Sequence, residues 1–328
     1  MYSNVITRNY AIDLLRAFGI GLMIINHVGS SPMSQLIHSF HMPLFFFISG
    51  LFFTNNKPFW TFTAKKAKNI LIPYLFFAAL YYVIWLFWDA SIKSWYVPLK
   101  YLLWENSVGP RDGMPYAGAL WFLTAFFIAN VVYFGISRIK SRYLQLIIVL
   151  FVVLIGTILP MVLPFRLPYT FDSGLVGVGF IYCGHHFKNS VYYDKLTHLS
   201  WPVLIIVSEM LLILISFNGF IDMRLGIYNN EILFWINALG CIVIGINVCN
   251  RVISYFERHG LVGEITMGKD GLVFMCVNEA VIALLWSIIP FNDILVSYIV
   301  IFILTISICY IVNYIFQHTK LRVLIGKF

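Results

Sequence analysis

The sequence predicts an all-α polytopic membrane protein with about ten transmembrane helices and both termini in the cytoplasm. Three observations lead to this fold class. Of the residues, 60% are hydrophobic, only 11% are charged, and apolar runs of membrane length recur from end to end. The mean hydropathy of +0.85 agrees with them. A soluble domain of 328 residues would carry far more surface charge.

The predicted spans, each of about 15–25 residues, follow one another without internal repeats or low-complexity segments. They cover residues 11–29, 40–54, 71–88, 118–137, 143–163, 171–187, 200–217, 231–250, 269–289 and 293–317. The second and sixth are short or glycine-rich, which suits a tilted, broken or partly re-entrant segment. We therefore predict one integral-membrane domain over residues 1–328.

Basic residues in the loops set the predicted orientation. With the N-terminus inside and ten alternating spans, sixteen lysines and arginines fall on inside-facing segments and five on outside-facing loops. The net charge is +8, but its scattering excludes the basic stripe of a nucleic-acid-binding protein. No cleavable signal peptide is expected, because the first apolar run carries Asp13 and Arg16 and lacks a small-residue cleavage site.

The longest outer loop, about residues 89–117, mixes aromatic and charged side chains: Trp95, Tyr96, Trp104, Glu105, Arg111 and Asp112. Such a loop suits a belt at the bilayer interface, which we favour, and it also suits stacking on carbohydrate. The five cysteines lie within apolar stretches without close pairing. We interpret them as small buried hydrophobes rather than disulfides or metal ligands.

The first span, DLLRAFGIGLMIINH over residues 13–27, contains an acid, a base and a histidine. A charged side chain in a bilayer costs at least ~2.5–3.5 kcal/mol on insertion scales, so such residues mark a functional site. Arg16 and His27 are three helical turns plus about 20° apart, with His27 about 16 Å further along the axis, so both project from one helix face. The alternatives are an Asp13–Arg16 anchor at the cytoplasmic interface and a His27 hydrogen-bonded at the outer helix end.

Four segments within about the first 130 residues resemble the acyltransferase 3 family of bacterial integral-membrane acyltransferases, in its fucose 4-O-acetylase-like branch. They are RNYAIDLLRAFGIGLMIINH (8–27), with a basic-x10-His element at Arg16 and His27, SFHMPLFFFISGLFF (39–53), KKAKNILIPYLFF (65–77) and GALWFLTAFF (118–127). Two features depart from the family pattern. Lys66-Ala67-Lys68-Asn69 replaces its paired arginines, and Asn278 stands where many relatives have a histidine.

The resemblance implies transfer of an acyl group, usually acetyl with acetyl-CoA as co-substrate, to a sugar hydroxyl at a bacterial inner membrane. It makes His27 the expected general base, directly or through a transient acetyl-histidine, while Arg16 and Asp13 hold donor groups or tune charge. We expect a carbohydrate acceptor as partner and no permanently bound cofactor. The donor's pantetheine arm is expected to reach His27 from the cytoplasm, with the acceptor approaching from outside.

Further candidates for binding substrate or donor lie in the other matching segments: Phe40, His41, Ser49, Gly50, Lys66 and Trp121. Lys66 is suited to a coenzyme A phosphate, Ser49 to a hydrogen bond with the thioester oxygen or the substrate, and Trp121 to stacking on adenine or a sugar ring. Gly50 permits close backbone approach. Helix packing, positive-inside flanking and core burial explain the same residues without a ligand.

Two later features complete the prediction. His185 and His186 are not interpreted as a metal site, because neighbouring helical residues point about 100° apart and no carboxylate sits nearby. Glu279 in the ninth span needs a partner, and Arg16 and His27 are candidates for it across the bundle. A transporter or flippase for a lipid-linked glycan or acyl group is an alternative, as is acyl transfer with another donor, such as succinyl, or a non-sugar acceptor.

Overall fold

The computed structural model describes residues 9–29, 33–88, 95–104, 118–261, 263–289 and 293–328. In this part of the chain ten helices have 16 or more residues: α1 (Tyr10–Val28), α2 (Ser34–Leu51), α3 (Phe59–Trp88), α4 (Trp121–Ile136), α5 (Arg142–Val162), α6 (Phe171–Lys188), α7 (Trp201–Asn218), α8 (Glu231–Arg258), α9 (Leu272–Ile288) and α10 (Ile294–His318). Each predicted span coincides with one of them. The predicted all-α, polytopic membrane class is confirmed.

Seven of these helices are long and apolar enough to cross a membrane, where α4 is counted together with the turn before it, as Gly118–Ile136. α2, α6 and α9 are not among the seven, although α9 is a shorter apolar helix. α2 and α6 are nevertheless unbroken helices of 18 residues each. The membrane architecture is thus established, while the count of ten crossings and the cytoplasmic position of both termini stay predictions.

Side-chain caps determine where several helices begin. Asn9 Oδ1 accepts a hydrogen bond from the Ile12 backbone N–H at 3.1 Å, at the start of α1. The residues before α5, α8 and α10 cap their helices in the same way: Ser141, Asn230 and Asp293. At the other end of α7, Gly219 has φ +75°, a conformation that favours glycine. Gly219 is the first residue of the segment 219–230, which we call the α7–α8 turn. Within this turn, Asp222 and Ile227 form an isolated antiparallel bridge.

The helices α2 and α6 form the centre of one half of the bundle. α6 packs extensively against α2, α4 and α5. Gly50 of α2 lies against the backbone of Ile181 in α6, and Gly184 of α6 lies against the backbone of Phe47 in α2, so a Cβ at either glycine would overlap main-chain atoms. Small residues allow two membrane helices to approach this closely. Residue 50 therefore serves helix packing.

α1 forms the centre of the other half. It contacts α2, α8, α9, α10 and the short helix Thr266–Lys269. The most apolar stretch of α1 is 61% buried, and that of the segment Gly118–Ile136 is 67% buried, whereas α5, α7 and α10 bury only 22%. An apolar helix with most of its surface exposed is stable where hydrocarbon covers it. The first helix and α4 therefore lie inside the bundle, with α5, α7 and α10 at its lipid-facing periphery.

Contacts between segments group the helix ends as the charge pattern predicts. Arg138 donates a hydrogen bond to the Lys57 carbonyl, and Lys327 forms an ion pair with Asp270. Arg138, Lys57 and Lys327 belong to segments predicted to face inside, and Asp270 lies at the inner end of the predicted ninth span. Likewise, Arg166 donates to the Arg224 carbonyl at 2.9 Å, joining two segments predicted to face outside.

In the loop 89–117, residues 95–104 are described. They include the helix Tyr96–Leu103, and the side chains of Trp95, Tyr96 and Trp104 are exposed. The predicted positions of Glu105, Arg111 and Asp112 lie outside the described residues, so the roles of the loop in an interface belt or in stacking stay predictions. The five cysteines are free thiols, and Cys249, Cys276 and Cys309 are buried, which confirms the interpretation of them as buried hydrophobes for those three.

Candidate active site

His27 lies in the last turn of α1, where α9 holds its imidazole ring. His27 Nδ1 is 2.6 Å from Asn278 Oδ1. The amide nitrogen of Asn278 donates to two α9 carbonyls, those of Phe274 at 2.9 Å and Met275 at 2.8 Å. Since carbonyls only accept, the amide oxygen is the atom that faces His27. In the neutral imidazole Nδ1 therefore carries the hydrogen, and Nε2 bears the lone pair.

Glu279, the next residue on α9, lies on the other side of the imidazole. Its Oε1 is 3.6 Å from His27 Nε2, and its Oε2 accepts a hydrogen bond from the Gly118 backbone N–H at 2.7 Å. Consecutive helical residues point about 100° apart, so Asn278 and Glu279 reach the two ring nitrogens from one turn. Of the two candidate partners of Glu279, His27 is the one that lies beside it.

The imidazole opens into a cavity of about 290 Å³, which we call the histidine cavity. Its polar and charged lining side chains are Asn26, His27, His38, His41, Asp222, Arg224 and Glu279. Two predicted site residues, His41 and Trp121, also lie here. His41 is 6% exposed, and its Nδ1 donates to the Ile37 carbonyl at 2.7 Å. The histidine cavity thus joins α1, α2 and α9 with the α7–α8 turn.

A second cavity of about 350 Å³, the basic cavity, lies nearer the start of α1. Its lining contains Arg16, Lys66 and Lys269 and no acidic residue. The Arg16 guanidinium forms a 3.1 Å ion pair with Asp13, which is 6% exposed. The predicted Asp13–Arg16 anchor is therefore present, and Arg16 faces a cavity at the same time.

Aromatic rings surround the cations of the basic cavity. The Arg16 guanidinium lies 5.1 Å from the ring of Phe52, and Lys66 Nζ lies 5.5 Å from the ring of Phe126. A ring face attracts a cation through its quadrupole, and the apolar surroundings reduce its screening. Ser49 also lines this cavity and donates to Asn130 Oδ1 at 2.9 Å.

Met275 lines both cavities. His27 and Arg16, predicted to share one face of α1, lie in the histidine cavity and the basic cavity respectively. The two predicted site residues at opposite ends of α1 therefore face adjacent spaces inside the bundle. Met275, which is 6% exposed, lies between those spaces.

Two predicted binding residues lie elsewhere. Phe40 lines a separate, apolar cavity of about 490 Å³ between α1, α2, α7 and α8. Gly50 lies at the contact with α6 described above. The structure thus brings together the following predicted site residues in the two cavities: Arg16, His27, His41, Ser49, Lys66 and Trp121.

Sequence reasoning missed four polar residues of the histidine cavity: Asn26, His38, Asp222 and Arg224. Asn26 and His38 carried a signal, because one is a polar residue within the predicted first span and the other lies just before the second. Asp222 and Arg224 carried none, since the α7–α8 turn is distant in sequence from the first two helices.

Among the described residues, no group of three or more His, Cys, Asp or Glu side chains has the geometry to hold a metal ion. His185, one of the adjacent pair in α6, instead lies with its Nδ1 2.6 Å from the Tyr133 hydroxyl. The three histidines that line the histidine cavity are held by separate protein partners: Asn278, Asn26 and the Ile37 carbonyl.

A protein-family model described as an acyltransferase domain matches residues 9–314, which is nearly the whole chain. No curated protein matches the chain, and no solved structure matches it.

Proposed function

The chain belongs to this acyltransferase 3 family and is a membrane acyltransferase, as predicted; on that premise we propose that it moves an acetyl group from acetyl-CoA to a hydroxyl of a cell-surface or exopolysaccharide sugar. The fucose 4-O-acetylase-like branch and a bacterial inner membrane belong to the same proposal. The arrangement of His27 between Asn278 and Glu279 is the observation that carries it.

His27 is the general base of the proposed reaction. A sugar hydroxyl is a poor nucleophile until a neighbouring group takes its proton, and such assistance is typically worth ~10²–10⁴ in rate. Asn278 supports this role because it directs the hydrogen of the neutral imidazole to Nδ1. The lone pair on Nε2 is then available beside the histidine cavity, where an acceptor hydroxyl binds.

The proposed transfer forms one carbon–oxygen bond and breaks one carbon–sulfur bond. Nε2 of His27 takes the hydroxyl proton as the acceptor oxygen bonds to the thioester carbonyl carbon. The carbon–sulfur bond then breaks, and the imidazolium returns the proton to the coenzyme A sulfur. A route through acetyl-histidine uses the same Nε2 as nucleophile, and mass spectrometry of the protein with acetyl-CoA and no acceptor separates the two routes.

Glu279 stabilises the positive charge that appears on His27 during the transfer. Its carboxylate is fixed by the Gly118 backbone N–H, so it does not have to reorganise as the charge forms. The distance of 3.6 Å to Nε2 is short enough for a strong interaction with an imidazolium.

The basic cavity receives the donor in this proposal. Coenzyme A carries phosphates, and Arg16, Lys66 and Lys269 supply cations to the lining. Arg16 is also paired with Asp13 and Lys269 with Glu264, so Lys66 contributes the charge that no ion pair with these acids offsets. The acetyl-bearing end then passes Met275 to reach His27. The adjacent cavities support this route, with the donor entering at the end predicted to be cytoplasmic.

The proposal is tested with purified protein in lipid nanodiscs, acetyl-CoA and a panel of surface polysaccharides. We expect acceptor-dependent release of coenzyme A and an added acetyl group on one polysaccharide by mass spectrometry. His27→Gln should lose at least ~10²-fold in rate, because a general base contributes that much, while its thermal stability stays close to wild type. Near-normal activity of that variant would exclude His27 as the base. Acceptor-dependent release of coenzyme A from succinyl-CoA but not from acetyl-CoA would exclude acetyl-CoA as the donor.

A further inference from the structure

The histidine cavity contains polar groups that the proposed proton transfer does not use. We propose that Asn26, Asp222 and Arg224 form a binding subsite for a neutral, polyhydroxylated acceptor. This inference rests on the proposed function, because it assigns the acceptor side of the same cavity. It excludes acceptors that carry a carboxylate or phosphate near the reacting hydroxyl.

Asn26 supplies the first contact. Its amide nitrogen lies 2.8 Å from His38 Nε2, while its Oδ1 is buried and has no hydrogen-bond partner among the described residues. Buried polar atoms in proteins are nearly always satisfied, and Asn26 lines the histidine cavity, so a small side-chain movement would let a ligand donor there satisfy this oxygen. A sugar hydroxyl is such a donor, and Asn26 lies one residue before His27 on α1.

Asp222 and Arg224 supply the second contact from the α7–α8 turn. Asp222 Oδ1 accepts from the backbone N–H groups of Arg224 at 2.8 Å and Leu225 at 3.1 Å, which fixes the carboxylate in place. Its Oδ2 is 4.0 Å from the Arg224 guanidinium. An acceptor oxygen and a fork of N–H donors at this spacing suit neighbouring hydroxyls, each of which both donates and accepts.

The charge of the lining selects for a neutral acceptor. Asp222 and Glu279 are the acidic residues of the histidine cavity, and Arg224 is the basic one. With neutral imidazoles the lining therefore carries one net negative charge. A uronic acid or a sugar phosphate would bring like charge into a poorly screened space.

The ring of Phe220 adds an apolar surface to the same wall. It is 47% exposed, lines the cavity, and lies 4.6 Å from the His38 ring centre to centre. The C–H face of a sugar ring gains from covering such a surface, because that area is removed from water. A pyranose has both hydroxyls and an apolar C–H face, so polar contacts together with an aromatic ring suit its binding.

Buried contacts hold the α7–α8 turn in position before any acceptor binds. Arg166 forms a 2.8 Å ion pair with Asp172 of α6 and donates to the Arg224 carbonyl at 2.9 Å. Ser173 Oγ donates to the Met223 carbonyl at 2.7 Å. Because these bonds involve the backbone of the turn, substitution of the Asp222 or Arg224 side chain leaves them in place. The subsite is thus preorganised.

The test measures binding without turnover, by calorimetry on the full chain in nanodiscs. The probes are methyl glycosides of neutral hexoses, compared with the methyl glycosides of glucuronic and galacturonic acid. Asp222→Asn keeps the oxygen that caps the turn and removes only the charge, and Arg224→Gln removes the guanidinium. Glu231→Gln, at the start of α8 and outside the lining of the histidine cavity, is the matched control.

We expect at least one neutral glycoside to bind, and its Kd to rise at least tenfold in Asp222→Asn and in Arg224→Gln but less than twofold in Glu231→Gln. Tighter binding of the uronides, no binding of any neutral glycoside, or an unchanged Kd in both cavity variants would overturn the subsite. Coenzyme A release by the same samples is the separate readout of the proposed function. Its failure does not alter the result of the binding measurement.

Discussion

Replacing Glu279 by glutamine isolates the electrostatic part of the proposed mechanism. Glutamine has nearly the same volume and retains an oxygen for the Gly118 backbone N–H, so the main change is the lost charge. A negative charge 3.6 Å from an imidazolium contributes about 4–5 kcal/mol at an effective dielectric constant of ~20. Since the imidazolium forms only as the hydroxyl proton is transferred, this energy stabilises the transition state. It corresponds to an upper limit of ~10³ in rate.

We therefore expect Glu279→Gln to lower kcat by ~10²–10³ and to change the KM for acetyl-CoA little, because only the transition state loses the interaction. The assay is the initial rate of coenzyme A release at saturating donor and acceptor, with the protein in nanodiscs. Glu257→Gln, an exposed carboxylate near the end of α8, is the control and should retain wild-type kcat. A Glu279→Gln variant that folds normally and keeps kcat within threefold of wild type would refute the reasoning.

Three further substitutions test other parts of the structure. Asn278→Ala should lower kcat ~10–100-fold, because the imidazole loses the oxygen that fixes its orientation. The control Asn247→Ala, at an equally buried asparagine, should lower only the thermal midpoint. Equal losses of kcat in the two variants would contradict this role of Asn278. Met275→Trp should lower kcat at least ~10-fold by filling the space between the cavities, which full activity would disprove. Gly50→Ala should destabilise the fold by about 1–3 kcal/mol through overlap with the α6 backbone. Gly135→Ala is the control and should not destabilise the fold, because a Cβ at residue 135 meets open space. The measurement is the thermal midpoint of each variant, followed by size-exclusion chromatography after heating.

The helices were predictable because hydrocarbon imposes one strong rule on the backbone. Every N–H and C=O in the membrane must be paired within the protein, so each long apolar run becomes a helix. The second span shows where this rule is less precise. It was predicted over residues 40–54, but α2 already begins at Ser34. Its first turns contain Gln35 and His38, which are polar because Gln35 bonds the Ile215 carbonyl and His38 lines a cavity. Hydropathy places a boundary too late where a helix enters the membrane through a polar site.

The candidate site was predictable where its residues share a helix or carry a charge in the membrane. The spacing of Arg16 and His27 placed both inside the bundle, and the intramembrane Glu279 required a partner that proved to be His27. Asp222 and Arg224 followed no such rule. They reach the site because the α7–α8 turn folds over α2. Phe220 of the turn contacts His38 of α2, and more than 180 residues of chain separate the two.

The two departures from the family pattern are consistent with the geometry around them. Asn278 satisfies three neighbours at once, since its amide donates to two α9 carbonyls and its oxygen accepts from His27. Lys66 provides a single charge instead of a bidentate fork, but Arg16 and Lys269 line the same cavity and share the neutralisation of a polyanion. The lining thus changes from three basic side chains in the basic cavity, two of them paired with Asp13 and Glu264, to one net negative charge in the histidine cavity when its imidazoles are neutral. In the proposed reaction the lining charge would favour a phosphate-bearing donor in the basic cavity and disfavour it in the histidine cavity, so its acetyl group would meet the sugar near Met275, which lines both.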